Sequence, residues 1–414
     1  MPSSTLAALL RGNPVVITGQ GAFSSGGKTV GELWESALAG RSTAVAHFVG
    51  EGAERREFPG CAAPAVDVSR IELRPFRKLD RSVQMARVAA DEALKQSRLL
   101  EAYPPERVGI MVGTARGPLK KLFDAANLPT DRRPPPSIVA DNAFAAASGA
   151  LARAFNLQGP CLTLSATCAS AAIAIACAAE QLLLGKADAM LAGGSEAPLQ
   201  PATFRQFDSA GVLGSHADPA QACRPFDLDR NGLVLGEGSG FLVLETEAAA
   251  RKRGAVLLAR LAGWAYGSGV SSRTGIEISS VVRVMQGALD AAQFAASEVD
   301  YINLHGTGTK LNDAAEGEAI AQLFGQHAAV LGCSSTKPVT GHCLGATPAV
   351  EAILCVEALK HGVIPPTANC VMQDPACRID IQTVSARRPK TKVALSNSLG
   401  FWGHYASLLL SRAE

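Results

Sequence analysis

Three residues of this sequence belong to types that carry out chemistry and stand where a chain exposes such groups: Cys168, His305 and His342. Cys168 lies in Ser165-Ala166-Thr167-Cys168-Ala169-Ser170, between a short β-branched and apolar run and about 16 Ala-, Ile- and Leu-rich residues whose pattern predicts a helix. At the N-terminus of that helix, unpaired backbone N–H groups and the macrodipole would lower the thiol pKa and favour the nucleophilic thiolate. A buried cysteine acting as a small hydrophobe is the alternative. His305, in Asn303-Leu304-His305-Gly306-Thr307-Gly308-Thr309, and His342, in Thr340-Gly341-His342-Cys343-Leu344-Gly345, each follow a buried strand in a glycine-rich turn. Ligands and catalytic groups gather at the carboxyl ends of strands in α/β sheets. Either histidine alone would read as a hydrogen-bonded structural residue, but two in the same topological position point to function. They are far apart in sequence, lack HExxH-type pairing and bring no carboxylate motif, so no metal site is expected. A cysteine nucleophile with two histidine donors fits thioester carbon chemistry better.

The elements that must position these residues alternate. Val15 to Gly19 reads as a buried strand, Thr29 to Leu38 and Leu79 to Ser97 as helices, and Val108 to Val112 as a strand ending in Gly113-Thr114. A proline-rich loop, Asp131 to Pro136, precedes a helix capped by Ser137 and running to about Phe155. After the Cys168 helix come a strand at Ala189 to Ala192, a loop to about Ala222 and a strand at Gly240 to Glu245. The second half repeats the rhythm: strands at Leu258 to Trp264, Tyr301 to Leu304 and Val330 to Ser334, and helices at about Ser279 to Ala292, Asp313 to Phe324 and Gly345 to His361. Lys392 to Ser396 and Tyr405 to Leu410 close the chain as two strands around a glycine-rich turn. Alternation implies an α/β class with sheets covered on both faces, and the repeated rhythm implies an internal duplication, residues 1–250 and 251–414.

Composition narrows the class. At 414 residues the chain exceeds the usual single-domain range, and 39 basic against 37 acidic residues call for neither nucleic acid nor an anionic membrane. Ten cysteines without CxxC pairs or a compact framework read as reduced thiols of a cytoplasmic enzyme. The N-terminal apolar run is too short for a signal peptide, and nothing later offers the roughly 18 uncharged apolar residues of a membrane span.

Five stretches together, SATCAS around Cys168, RPFDLDRNGLVLGEGSGFLVLE from Arg224, HGTGTKLNDAAE from His305, STKPVTGHCLGA through His342 and SNSLGF from Ser396, resemble the ordered motifs of the β-ketoacyl-acyl-carrier-protein synthases. The likeness runs from about Pro14 to Leu410. It implies the thiolase fold, two duplicated βαβαβαββ halves in a five-layered α-β-α-β-α core. It implies that Cys168 accepts an acyl group from a carrier-protein thioester. His305 and His342, as neutral Nε2–H donors, would stabilise the enolate formed when malonyl-carrier protein loses carbon dioxide. The backbone amides of Cys168 and Phe401 would form the oxyanion hole, and Lys337 would order the site through Glu316 or Glu351. Thr307 and Thr309 would contact the phosphopantetheine arm of the acyl carrier protein, so no resident cofactor is expected. Asn312, Asp313, Glu316, Arg224, Asp227 and Glu237 match the pattern as capping and scaffolding residues. The acidic carrier would dock on basic groups, with Arg74, Arg77 and Lys78, the pair Arg132 and Arg133, and Arg205 as candidates. Two-fold dimers, of this chain or with a related subunit, are implied through the strand preceding the nucleophile.

Gly400-Phe401-Trp402-Gly403-His404-Tyr405 departs from the family's Gly-Phe-Gly-Gly-Thr-Asn turn. Trp402 removes a hinge glycine and adds apolar surface, so Trp402 and His404 are expected to shape substrate selection, with a stiffer gate or a reshaped acyl channel. Gly267 to Ser279 also departs from the elongating members. A channel-shaping partner subunit is the competing reading, but such partners lack the cysteine. A degradative thiolase would carry a second cysteine near the terminal turn, and Cys343 reads instead as a packing residue.

Overall fold

The computed structural model describes residues 2–67, 76, 78–129, 131–270, 272–387 and 390–413. Ten strands make one sheet. In the first half these are β1 (Val15–Ser24), β2 (Val108–Gly113), β3 (Cys161–Leu164), β4 (Ala189–Glu196) and β5 (Gly238–Thr246). In the second they are β6 (Ala259–Ser268), β7 (Tyr301–Asn303), β8 (Gly332–Ser334), β9 (Val393–Gly400) and β10 (His404–Ser411). The spatial order is β8-β7-β9-β10-β6-β1-β5-β4-β2-β3. Numbered within its half, each set of five runs third, second, fourth, fifth, first. The senses agree as well: three parallel strands, then two antiparallel joins. The duplication expected from the sequence rhythm is therefore visible as topology. The halves meet where Val15 to Ile17 pair with Leu261 to Ala259.

Six helices complete the layers: α1 (Arg81–Ser97), α2 (Ala146–Phe155), α3 (Ser170–Leu183), α4 (Ile278–Ala292), α5 (Lys310–Phe324) and α6 (Thr347–His361). Alternate strand residues face opposite layers, as the period of two requires. Ile110, Val112, Leu191 and Val243 face α1 and α2, while Met111, Met190, Ala192 and Leu242 face α3 and α6 in the middle. Ile302, Leu395 and Leu409 pack outward on α4 and α5. The result is the α-β-α-β-α sandwich that the resemblance implies. The two central helices touch each other and both halves of the sheet. Every residue of α6 from Thr347 to Leu359 is buried, and small side chains such as Ala174, Ala178, Ala349 and Ala352 let the layers close.

Two local expectations fail. The helix expected from Ser137 to Phe155 is split into Ile138–Asp141 and Ala146–Phe155, and the Ser137 side chain caps neither. The loop expected up to Ala222 contains a helix, Pro201–Ser209, that buries Phe204 and Phe207 on one side. Its proline start and well-spaced phenylalanines carried that signal. No helix among the described residues is long and apolar enough to cross a membrane.

The central layer offers a direct test. Ile353 is fully buried there, so Ile353→Ala is expected to cost about 2–5 kcal/mol, read as a lower denaturant midpoint at unchanged slope. A loss below about 1 kcal/mol would mean that the layer closes over the gap.

Candidate active site

The parallel strands of both halves deliver their following loops to one region. Cys168 follows β3 and precedes α3; His342 follows β8 and precedes α6. The two residues thus occupy corresponding places in the duplicated halves. His305 follows β7 by two residues, and Phe401 follows β9 directly.

Cys168 is buried and sits just after Thr167, whose backbone has φ +50°. Thr167 donates from Oγ1 to the Phe401 carbonyl at 3.2 Å, and Ser170 Oγ donates to the Thr167 carbonyl at 2.6 Å while accepting from the Ala166 N–H at 2.9 Å. These bonds hold the bend that aims the thiol. Burial pushes that thiol up to about 12, against the opposing pull of the Lys337 ammonium and the Phe401 N–H. The expectation of a resting thiolate is thereby corrected. The helix proper begins two residues later, at Ser170, so Cys168 stands ahead of its first turn and burial is the largest influence on the thiol.

The His342 ring places Nε2 3.1 Å from Cys168 Sγ and Nδ1 3.0 Å from Thr347 Oγ1. A hydroxyl donates or accepts, so the ring can present Nε2 bare to the thiol or protonated to an oxyanion. His305 lies edge-on to His342, centroids 5.4 Å apart at 82°. Burial first, and the Lys337 charge second, hold both imidazoles well below their ordinary pKa, so both are neutral. The sulfur and one nitrogen of each ring lie within 4.8 Å of one another.

Lys337 is fully buried, with Nζ 2.7 Å from Glu351 Oε1 and donating to the His305 carbonyl. Glu351, not Glu316, is its ion-pair partner; burial pushes the Glu351 carboxyl up to about 7 despite the ammonium. Glu316 instead accepts from the N–H groups of His305 and Gly306 at 2.8 and 2.9 Å. Asp313 accepts from Thr307, Gly308 and Phe226 N–H groups at 2.8–3.2 Å. The two carboxylates lock the backbone of the His305 loop. Gly306 is required there: its φ is +32°, and an added Cβ would meet Phe226 and Ser335 at 2.7 Å. Asp227 accepts from the Val371 and Met372 N–H groups, and Glu237 pairs with Arg81 at 2.8 Å, both away from the thiol.

A cavity of about 690 Å³ opens onto the trio. Thr307 and Thr309 line it, their hydroxyls 2.9 Å apart, as do Phe401 and Trp402. Trp402 is 62% exposed at the mouth, with φ +62°. Its N–H donates to the Arg273 carbonyl at 2.9 Å, and the Arg273 guanidinium lies 5.6 Å from its ring centroid. His404 is not in the lining; its backbone pairs with Gly400 and Ser268 at the start of β10. Of the expected docking groups, Lys78, Arg132, Arg133 and Arg205 are exposed and outside the lining, while Arg74 and Arg77 lie outside the described residues. Sequence reasoning missed Arg116, Phe207 and Leu344, which all line the cavity. Arg116 had a signal, three residues past the end of a buried strand.

Comparison with known proteins fits this geometry. Residues 12–250 match the family model of the beta-ketoacyl synthase N-terminal domain, and residues 258–371 that of its C-terminal domain. Nodulation protein E of Rhizobium sp. (strain N33) is 36% identical, over 95% of this chain and 98% of its own. Putative polyketide beta-ketoacyl synthase 1 of Streptomyces halstedii is 35% identical, over 97% and 98%. Among solved structures, the ishigamide ketosynthase/chain length factor aligns over 97% of this chain and 100% of its own, with TM-score 0.88 and 30% identity. A beta-ketoacyl synthase from Burkholderia phymatum STM815 gives the same values. With likeness over nearly its whole length, in sequence and in architecture, the chain belongs to the β-ketoacyl synthase family, acyl-transferring enzymes of the thiolase fold.

Proposed function

We propose that the chain catalyses decarboxylative condensation of a primer acyl thioester with malonyl-acyl carrier protein, in a specialised polyketide or fatty-acid pathway. The observation that carries this reading is His342 Nε2 at 3.1 Å from Cys168 Sγ, with the second neutral imidazole beside it. In the first half-reaction Nε2 takes the thiol proton as sulfur attacks the primer carbonyl, and the carrier thiolate leaves with that proton. In the second, with the His342 ring proton moved from Nδ1 to Nε2, malonyl-carrier loses carbon dioxide, and Nε2–H groups of His305 and His342 hold the enolate oxygen. The carbanion attacks the acyl-Cys168 carbonyl, a carbon–carbon bond forms, and the Cys168 sulfur departs. No electrons leave the system, so the reading calls for no redox cofactor.

The pantetheine arm would run past Thr307 and Thr309, and an acidic carrier would dock on the exposed basic groups Lys78, Arg132, Arg133 and Arg205. Edge strand β3 leaves Leu162 50% exposed, whereas the opposite edge, β8, is buried. Bare edges invite pairing, so a second copy or a related subunit is proposed to cover β3. Ten unpaired cysteines suit the reducing cytoplasm. A channel-shaping partner would have no use for the trio.

Intact-protein mass spectrometry with a panel of acyl-carrier proteins is expected to show an acyl mass on the wild type and none on Cys168→Ala; no adduct with any chain would overturn the reading. Trp402→Gly, which removes a left-handed strain of about 1–3 kcal/mol together with the indole at the mouth, is expected to change the acyl-chain profile. An unchanged profile would remove Trp402 from substrate selection. Burial disfavours the charged imidazole, so the midpoints of His305 and His342 move down and both rings stay neutral as pH falls through 6.5. Carbon-13 NMR of labelled histidines, assigned with His→Gln variants, checks this, and a midpoint near 6.5 for either ring would contradict it.

A further inference from the structure

Arg116 lies in the loop after β2, and that loop is fixed by Glu196 at the end of β4. The Glu196 carboxylate accepts from the Ala115 N–H at 2.6 Å, the Arg116 N–H at 3.0 Å, Thr114 Oγ1 at 3.1 Å and the Gly345 N–H at 3.2 Å. Its oxygens are thus engaged by backbone and hydroxyl groups and do not reach the Arg116 guanidinium. The half-buried side chain lines the same cavity as Cys168 and His342. Its guanidinium lies 5.5 Å from the centroid of the Phe207 ring. Among the described residues, no carboxylate or carbonyl accepts a hydrogen bond from it.

Other partly buried arginines differ. Arg81, Arg107, Arg253 and Arg260 each direct two nitrogens at a carboxylate, those of Glu237, Asp188, Glu245 and Glu247. A guanidinium carries five donors in a fixed fork and cannot shed its charge. Leaving it half-desolvated and unmatched is costly unless a ligand supplies acceptors. Three of the hydrogen bonds to Glu196, from Thr114, Ala115 and Arg116, hold the backbone of the loop that presents it.

The extender is a poor candidate for that ligand. A guanidinium on the malonyl carboxylate would stabilise a charge that must vanish as carbon dioxide leaves, and ground-state binding of that kind raises the barrier. The primer has no such conflict.

We propose that Arg116 is a specificity determinant for the primer: it selects acyl chains carrying an oxygen acceptor, a ketone or a carboxylate, over saturated chains of the same length. The inference rests on Cys168 as the acyl acceptor. Phe207 lies beside the guanidinium, and the chain's oxygen would supply the acceptor that the fork lacks.

The test is competitive loading of Cys168, followed by mass spectrometry at short times, from carrier proteins bearing matched chains. Butyryl, acetoacetyl and succinyl groups form one set; hexanoyl, 5-oxohexanoyl and adipyl groups form another. The ketone and carboxylate arms separate a polyketonic primer from a dicarboxylic one. The wild type is expected to favour an oxygenated member over its saturated counterpart by about tenfold or more, the factor that 1.4 kcal/mol represents. Arg116→Met is expected to bring that ratio near one, and Arg116→Lys to retain part of it; Arg116→Gln replaces the methionine variant if the latter does not fold. A wild type that prefers saturated chains, or a ratio unchanged in the variants, overturns the proposal. So does a variant that alters only the oligomeric state by light scattering, since Arg116 would then serve a partner chain. If no chain loads Cys168 at all, the acyl-acceptor reading falls and this proposal with it; loading without discrimination overturns this proposal alone.

Discussion

The Lys337 ammonium is the buried charge that acts on all three residues of the trio. It is completely buried, held between the Glu351 carboxylate and the His305 carbonyl. A buried cation is tolerable only with such partners. Its field favours the neutral form of both imidazoles and the ionised form of the Cys168 thiol. It therefore opposes protonation of the groups that must act as donors, and it lowers the cost of forming a thiolate that burial otherwise resists. Removing the charge would also strand Glu351, so the lysine is structural and electrostatic at once.

That arrangement depends on the duplication. Identical strand order in the two halves makes the loops after β3 and β8 equivalent, and the closely packed central helices α3 and α6 bring their N-terminal ends together. One half supplies the cysteine, the other the two histidines. Neither half could assemble the trio alone. The small residues of the central layer are thus tied to chemistry at its end, because wider helix spacing would part Sγ from Nε2.

The mouth of the cavity is where this chain is most its own. Trp402 holds a backbone conformation that glycine adopts without strain, and it is fastened to Arg273 by a main-chain hydrogen bond and by its ring. Both sides of the mouth are then coupled, the β9–β10 turn on one and the loop after β6 on the other. This differs from a hinge that is merely stiff: movement of the turn would have to carry the opposite loop or break the contact.

What the sequence by itself determined is considerable, and the reason is periodicity. Runs such as Val108 to Val112 and Leu79 to Ser97 declare their structure through local spacing, and ordered motifs around Cys168, His305 and His342 name a family. Helix Pro201–Ser209 shows in the sequence only as a proline start and spaced phenylalanines within a stretch of loop composition, and tertiary packing decides the break before Ala146. The choice of Glu351 over Glu316 as the lysine's partner is a matter of distance in space, which spacing in sequence does not encode. The direction of the thiol's pKa shift was reversed for a related reason: a helix N-terminus is a local feature, whereas desolvation is a property of everything packed around it. Arg116 makes the same point. Its position after a buried strand is legible, but only the folded cavity shows a guanidinium lining the same space as the nucleophile with no protein acceptor to match it.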